Sequence, residues 1–374
     1  MRLMVPGPAE TWPEGLEEMA RPVLPHYGKA FLEIWHEVQD HLRTVFGASG
    51  DIMTIPGAGT AGTEMALCGL AGKKCLVVRA GTFCDRIAEI LQVHRANVVN
   101  VEVPDRQSAD PDAIAEALNR HPDAFAVCMV HSETSTGILH PVREIARVVK
   151  PSGALLVVDA VSSLGAVDFR MDEWGVDICW AASQKALGCP AGLAMVSFSK
   201  RAMKSIEGNR DKISAWYLNP LVWKWHSDQW DWHPYPTSLP TPVFAAMNRI
   251  LNRMLSDGLP SCFEKQHRAA TEIRRGCCCL GFELYPRCED IASPTITAII
   301  PPPELDESVF RDILLKEHGI MIAGGFGNLR GKILRIGHMG PGSEESQIQS
   351  TLKAMRYSLH NLGIQVPPFH EDRA

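Results

Sequence analysis

The chain has no apolar run approaching the ~20 residues needed to cross a bilayer, which argues against a membrane-spanning helix. Its opening residues, MRLMVPGPAE, lack the apolar centre of a secretory signal. Both absences lead to the expectation of a cytoplasmic protein. Positive charge is not in excess either: 37 Lys and Arg stand against 43 Asp and Glu, a formal net charge of -6. That balance does not suit the broad phosphate-binding surface a nucleic-acid partner requires. No Gly-x-Gly-x-x-Gly follows the early strand-like runs, so a dinucleotide site has no support, and no Gly-Lys-Ser/Thr marks a nucleotide P-loop. The 11 cysteines are odd in number and follow no zinc spacing. They read as reduced thiols packed as small hydrophobes, and no metal is expected. No internal repeat or low-complexity segment breaks the chain.

What is there suits a folded α/β protein. The 374 residues are 45% apolar and 21% charged, enough for a sizeable core and for two domains. Short apolar runs alternate with amphipathic segments through the first two thirds, the pattern of a parallel sheet wrapped by helices. Strands are expected over 74–80, 97–103, 124–131, 154–161, 177–183 and 193–199, with helices over 83–94, 110–121 and 141–151. Residues 214–242 carry five tryptophans among prolines and histidines and read as an irregular aromatic insert. Helical spacing resumes over 242–258 and again over about 260–280. Beyond that, TITAIIPP and KILRIGHMG alternate like strands of a small sheet covered by two helices. The expected division is an N-terminal segment 1–14 packing on the active site or small domain, a large domain 15–258 and a small α+β domain 259–374.

Four stretches fall where strands end, the positions at which open α/β sheets bind ligands. PGAGTAGTEMAL (56–67) puts small residues ahead of a helix, so its N–H groups can hold a phosphate or simply form a turn. Phe83 follows a strand at the head of a helix, either as core or as a stacking ring. Asp159 ends an apolar strand, where an unpaired carboxylate is costly unless it accepts hydrogen bonds or faces a cation. Lys185 sits between a strand and a Gly/Pro turn, 26 residues beyond Asp159. An acid and an amine converging on one crevice would meet the needs of pyridoxal 5'-phosphate, which takes a Schiff-base lysine and a partner for its ring nitrogen. His131 and Glu133 lack a further matched ligand and read as loop-fixing groups rather than a metal site.

The stretches PGAGTAGTE, HSETSTGILHPV, VVDAVSSLG, SQKALGCPAG and GGFGNLRGKILRIGHMG resemble the motifs of the class V aminotransferases, in family order, from PGPAE through RIGHMG. The resemblance is nearest to the alanine–glyoxylate and serine–glyoxylate branch. It implies fold type I, with a mostly parallel seven-stranded sheet and a smaller C-terminal domain. It implies a homodimer whose active sites lie at the subunit interface. It implies that Lys185 forms the Schiff base, Asp159 meets the ring nitrogen, Val161 packs under the ring, Phe83 stacks above it and Thr134 lies near the ring hydroxyl. Gly59, Thr60 and Gln184 would hold the phosphate, joined by Tyr235 and Ser238 of the partner subunit, with Thr237 and Thr241 as competitors. Arg335 would clamp the substrate carboxylate, and Tyr27 would line the substrate pocket, where HYG departs from the family's usual triplet.

The implied activity is a ping-pong transfer of an amino group from a small amino acid, alanine or serine type, to a 2-oxo acid such as glyoxylate or pyruvate. The alternatives are a class V lyase or decarboxylase and a non-catalytic homologue that binds the cofactor. A desulfurase would carry histidines where Phe83 and Gln184 stand. A degenerate homologue would be expected to have lost Lys185, Asp159 or Arg335.

Overall fold

In a computed structural model of the protein, residues 1–365 are described. The apolar runs form a seven-stranded sheet in the order Asp51–Pro56, Leu193–Phe198, Ile178–Ala182, Leu155–Asp159, Ala126–Val130, Lys74–Arg79, Asn97–Glu102. Only Leu193–Phe198 runs antiparallel to its two neighbours; the other paired strands are parallel. Four inner strands, Leu193–Phe198, Ile178–Ala182, Leu155–Asp159 and Ala126–Val130, are buried along their whole length, as expected where helices cover both faces of a sheet. Each expected strand is present to within a residue or two. The strand Asp51–Pro56 was not foreseen, because Asp51, Thr54 and Pro56 interrupt its apolar pattern.

The crossover helices Thr82–Val93, Pro111–Arg120 and Val142–Val149 return the chain between parallel strands. Pro111–Arg120 opens on Asp110, whose side chain accepts the Asp112 N–H at 3.0 Å, and buries Ile114, Ala117 and Leu118. After Lys74–Arg79 the chain first goes outward to Asn97–Glu102 and then returns to the other side, to Ala126–Val130. The strand order therefore reverses between Arg79 and Val130, and such reversals open a crevice at the carboxyl ends of the strands. Phe83 follows the first of these strands, Thr134 the second, and Asp159 ends the next one over.

A second, four-stranded antiparallel sheet has the order Glu283–Leu284, Ile296–Ile300, Leu334–Gly337, Ala323–Gly324. The helices Leu259–Cys279, Glu307–His318 and Glu345–Asn361 contribute buried side chains to a separate apolar core with it. The N-terminal residues join this second unit: Arg2–Leu3 pairs with Ile320–Met321, and Met4 lies in its core. The aromatic insert is less irregular than its composition suggests. It contains the helix Pro220–Gln229, capped by Asn219, whose side chain accepts the Leu221 N–H at 3.0 Å. Its aromatic residues fall on several sides, Trp223 buried and Trp225 exposed, so no single apolar stripe announces the helix. No helix among the described residues is long and apolar enough to cross a membrane.

Candidate active site

Asp159 is held by the strand that carries it. Its neighbours in register are Val130 and Trp180, and its carboxylate accepts the Val161 N–H at 2.8 Å. Burial raises its pKa from 3.8 to about 7, opposed by the Val161 hydrogen bond and by the positive charge of Lys185. Lys185 lies in the turn after Ile178–Ala182, where the Gly188 N–H closes back on the Lys185 carbonyl at 2.8 Å. Burial lowers its ammonium from 10.5 to about 8, against the pull of Asp159. The two groups foreseen as partners thus feel each other's charge in one low-dielectric crevice.

Arg335 is brought to the same crevice by the small sheet, paired in register with Ala298 and Ala323. It is buried; its Nε donates to the Gly324 carbonyl at 2.8 Å and Nη1 to the Thr134 carbonyl at 3.0 Å. A guanidinium carries five N–H groups, so three remain for a ligand. Burial lowers its pKa from 12.5 to about 10, which leaves it a cation at neutral pH. Its field also reaches Lys185 and helps to lower that amine.

Two of the phosphate candidates, Gly59 and Thr60, open the helix Gly59–Cys68. That helix begins after Ala58 with no side-chain cap. A methyl group added at Gly59 would lie 3.2 Å from Val161 and 3.4 Å from Ala182, so glycine lets the helix start press against the ends of two inner strands. Val161 is half-buried there, and Gln184 is held through its carbonyl, which accepts the Ala9 N–H at 2.8 Å. Thr134 is buried, with its hydroxyl 2.6 Å from the Ser162 hydroxyl.

Not every expected residue joins this group. Tyr235 is fully buried in its own chain, packed among Phe31, Trp35 and His233, and its hydroxyl donates to the His26 carbonyl. Within its own chain this phenol has the His26 carbonyl as its acceptor. Thr241 is likewise engaged, donating to the Leu24 carbonyl at 2.8 Å. Ser238 is exposed and Thr237 half-buried, so these two keep accessible hydroxyls. Tyr27 is 53% exposed on the loop before the helix Lys29–Phe46, its ring edge-on to His26 at 5.2 Å. Within one chain it meets His26, while the Lys185, Asp159 and Arg335 group is built from other elements.

The structure also adds residues. Glu133 is fully buried, and its carboxylate accepts the N–H groups of Phe83 and Cys84 at 3.2 Å and of Ser135 at 3.0 Å. It caps the start of Thr82–Val93, where helix N–H groups favour an anion, and so fixes the backbone of Phe83. A side chain at Gly81 would meet Ser135 Oγ at 2.5 Å and Glu133 Cγ at 2.7 Å, which accounts for the glycine. The Lys185 amine donates to the Pro6 carbonyl, tying the PGPAE stretch to the lysine. Among the described residues no group of three or more His, Cys, Asp or Glu side chains could hold a metal ion.

Several solved structures that share this architecture are aminotransferases. Ureidoglycine–glyoxylate aminotransferase from Bacillus subtilis superposes with a TM-score of 0.92 at 28% identity, covering 98% of this chain and 95% of that one. The chain belongs to the class V aminotransferases: the family "Aminotransferase class-V" matches residues 17–223. An uncharacterized aminotransferase of Methanocaldococcus jannaschii is 36% identical over 97% of this chain and 94% of its own length. Alanine–glyoxylate aminotransferase of Drosophila melanogaster is 29% identical over 97% of this chain and 94% of its own. The protein is thus an aminotransferase of fold type I, and its family implies pyridoxal phosphate. The residues fit that group: an uncapped helix start for a phosphate, a largely desolvated amine, and a buried carboxylate whose raised pKa marks the want of a facing cation.

Proposed function

We propose that the protein binds pyridoxal 5'-phosphate and moves an amino group from a small amino acid, alanine or serine type, to a 2-oxo acid such as glyoxylate or pyruvate, in two half-reactions. The observation that carries this reading is the convergence of Lys185, Asp159 and Arg335, from two sheets, on one buried crevice. The names of its relatives support the choice of acceptors, since several act with glyoxylate or pyruvate.

In this reading Gly59, Thr60 and Gln184 hold the phosphate, with Tyr235 and Ser238 of the partner subunit, while Phe83 and Val161 enclose the ring and Thr134 lies at its hydroxyl. When bound, the cofactor supplies an electron sink for the carbanion formed at the substrate's α-carbon. Arg335 offers its three unused N–H groups to the substrate carboxylate and orients the α-hydrogen. Lys185 takes that proton and later returns it; an amine lowered to about 8 is neutral in useful fraction near neutral pH. Asp159 holds a ring N–H in place; a cation set against it brings its carboxyl pKa back down, so both partners stay charged. We further propose a cytoplasmic homodimer, an N-terminal segment 1–14, a large domain 15–258 and a small domain 259–374. The masses of apolar side chains support two units, since separate cores lie on either side of the crevice. The last nine residues of the small domain, 366–374, lie outside the described residues.

The test is a panel of amino donors mixed singly with the yellow holoenzyme. An α-amino acid should discharge the visible band and release one equivalent of its 2-oxo acid. Release of sulfide, ammonia or carbon dioxide in its place identifies a lyase. Discharge by an ω-amine alone overturns the role of Arg335.

A further inference from the structure

Arg335 is held from two directions by one short stretch, the edge strand Ala323–Gly324 and the turn that follows it. The carbonyl of Gly324, which ends that strand, accepts its Nε, and in the turn two residues on, the ring of Phe326 lies against the guanidinium, 4.1 Å from ring centroid to Cζ. The same ring meets Phe83 edge-on, with centroids 6.5 Å apart and planes at 67°. Phe326 thereby joins the carboxylate-binding arginine of the small sheet to the ring expected to stack on the cofactor. It is nonetheless 45% exposed, an aromatic side chain at the rim of the crevice rather than in a core.

The backbone is built to keep it there. A Cβ at Gly325 would lie 2.1 Å from the Leu329 carbonyl oxygen, and Gly327 has φ +48°, so both flanking positions call for glycine. The Leu329 N–H closes on the Phe326 carbonyl at 2.8 Å. A tight turn therefore presents one large apolar ring next to a buried cation.

We propose that Phe326 determines which amino donor the enzyme takes, by covering one face of Arg335 and walling the space beside the substrate's α-carbon. This rests on the aminotransferase reading given above. With one face of the guanidinium covered, a carboxylate must approach in its plane, along the edge that carries the free N–H groups. Excluding water from that face strengthens the pair, because charges attract more in a less polar medium. The substituent on the α-carbon then meets aromatic carbon, which suits hydrogen, methyl or hydroxymethyl and leaves little room for a long chain.

The experiment compares wild type, Phe326→Ala and Phe326→Leu in two measurements. One is calorimetric binding of acetate, an unreactive monocarboxylate; the other is kcat/KM for alanine and for leucine as donors. Phe326→Ala should weaken acetate binding about fivefold, the scale of a lost ring–cation contact. It should raise the leucine-to-alanine ratio of kcat/KM about tenfold or more, as a removed wall admits the longer chain. Phe326→Leu keeps an apolar cover and should hold the ratio within about threefold of wild type. If wild type is discharged by α-amino acids and Phe326→Ala leaves both acetate affinity and the donor ratio unchanged, the proposal is wrong. If wild type is discharged by none of them, the aminotransferase reading itself fails, and the role of Phe326 with it.

Discussion

Asp159 shows how a single side chain can be unfavourable for the fold and needed by the site. In the cofactor-free protein its pKa is raised by burial from 3.8 to about 7. Between those values the native state binds the proton and the unfolded chain does not, so this group makes stability fall as pH rises from about 4 to about 7. Asp159→Asn removes the charge and should stabilise the cofactor-free protein at pH 8 by up to a few kcal/mol, with a much smaller gain at pH 4. Chemical denaturation at the two pH values checks this; an equal gain at both would contradict the stated cause. The same variant should lower kcat about 10²- to 10³-fold, the scale of losing one preorganised electrostatic partner. Arg335→Lys should act on binding, raising KM for the amino donor about ten- to a hundredfold, because an ammonium cannot offer two parallel N–H groups to a carboxylate. Steady-state kinetics showing an unchanged KM would remove Arg335 from the substrate site. Asp159 and Lys185 were legible because each is a charged residue at the end of an apolar strand. Glu133 reads in the sequence only as a loop-fixing group; its partners, the N–H groups of Phe83 and Cys84, lie about 50 residues away, and nothing local announces a cap across that distance.

At the scale of elements, the N-terminal stretch couples the two units. Gly337 N–H donates to the Met4 carbonyl at 2.9 Å, and the chain passes so close that a Cβ at Gly337 would lie 2.0 Å from the Val5 carbonyl oxygen. Farther along, the Pro6 carbonyl accepts the Lys185 amine and the Ala9 N–H reaches the Gln184 carbonyl. Gly337→Ala should push this stretch off the small sheet and release its hold beside Lys185. Hydrogen exchange at Arg2, Met4 and Ala9 should then rise, while the strand Leu155–Asp159 keeps its protection. Unchanged exchange in all three amides would show that the close approach is relieved elsewhere. Most strands and crossover helices could be placed from period and capping residues, Asp110 above all. The helix Pro220–Gln229 could not, because Trp and His on several sides hide the apolar face that helix periodicity depends on.

For the molecule as a whole, the exposed aromatic side chains have the most to say. Trp216, Trp225 and Trp232 are each more than half exposed, and Trp230 stacks on Trp232 with centroids 5.5 Å apart. Tyr27, also half exposed, lies on the loop whose His26 packs against His233 of the same insert. A cluster of this kind left in water is unfavourable and marks an interaction surface. The proposed homodimer would cover it with a second copy. Sedimentation at micromolar concentration should give twice the chain mass, and Trp232→Glu together with Trp225→Glu should shift the protein toward monomer. A wild-type monomer under those conditions would contradict the shared active site. Pairing across subunits is the least legible part of the sequence, because residues such as Tyr235 and Ser238 carry no local pattern that says which chain they serve; in its own chain the Tyr235 hydroxyl donates to the His26 carbonyl.

Lys185, as the proposed point of attachment of the cofactor, is the residue on which the activity depends most. Reducing the holoenzyme with borohydride and mapping the modified peptide by mass spectrometry tests this directly. The phosphopyridoxyl mass should fall on Lys185 alone and be absent from Lys185→Ala. Its appearance on another lysine, or on none while the yellow colour persists in Lys185→Ala, would contradict the assignment.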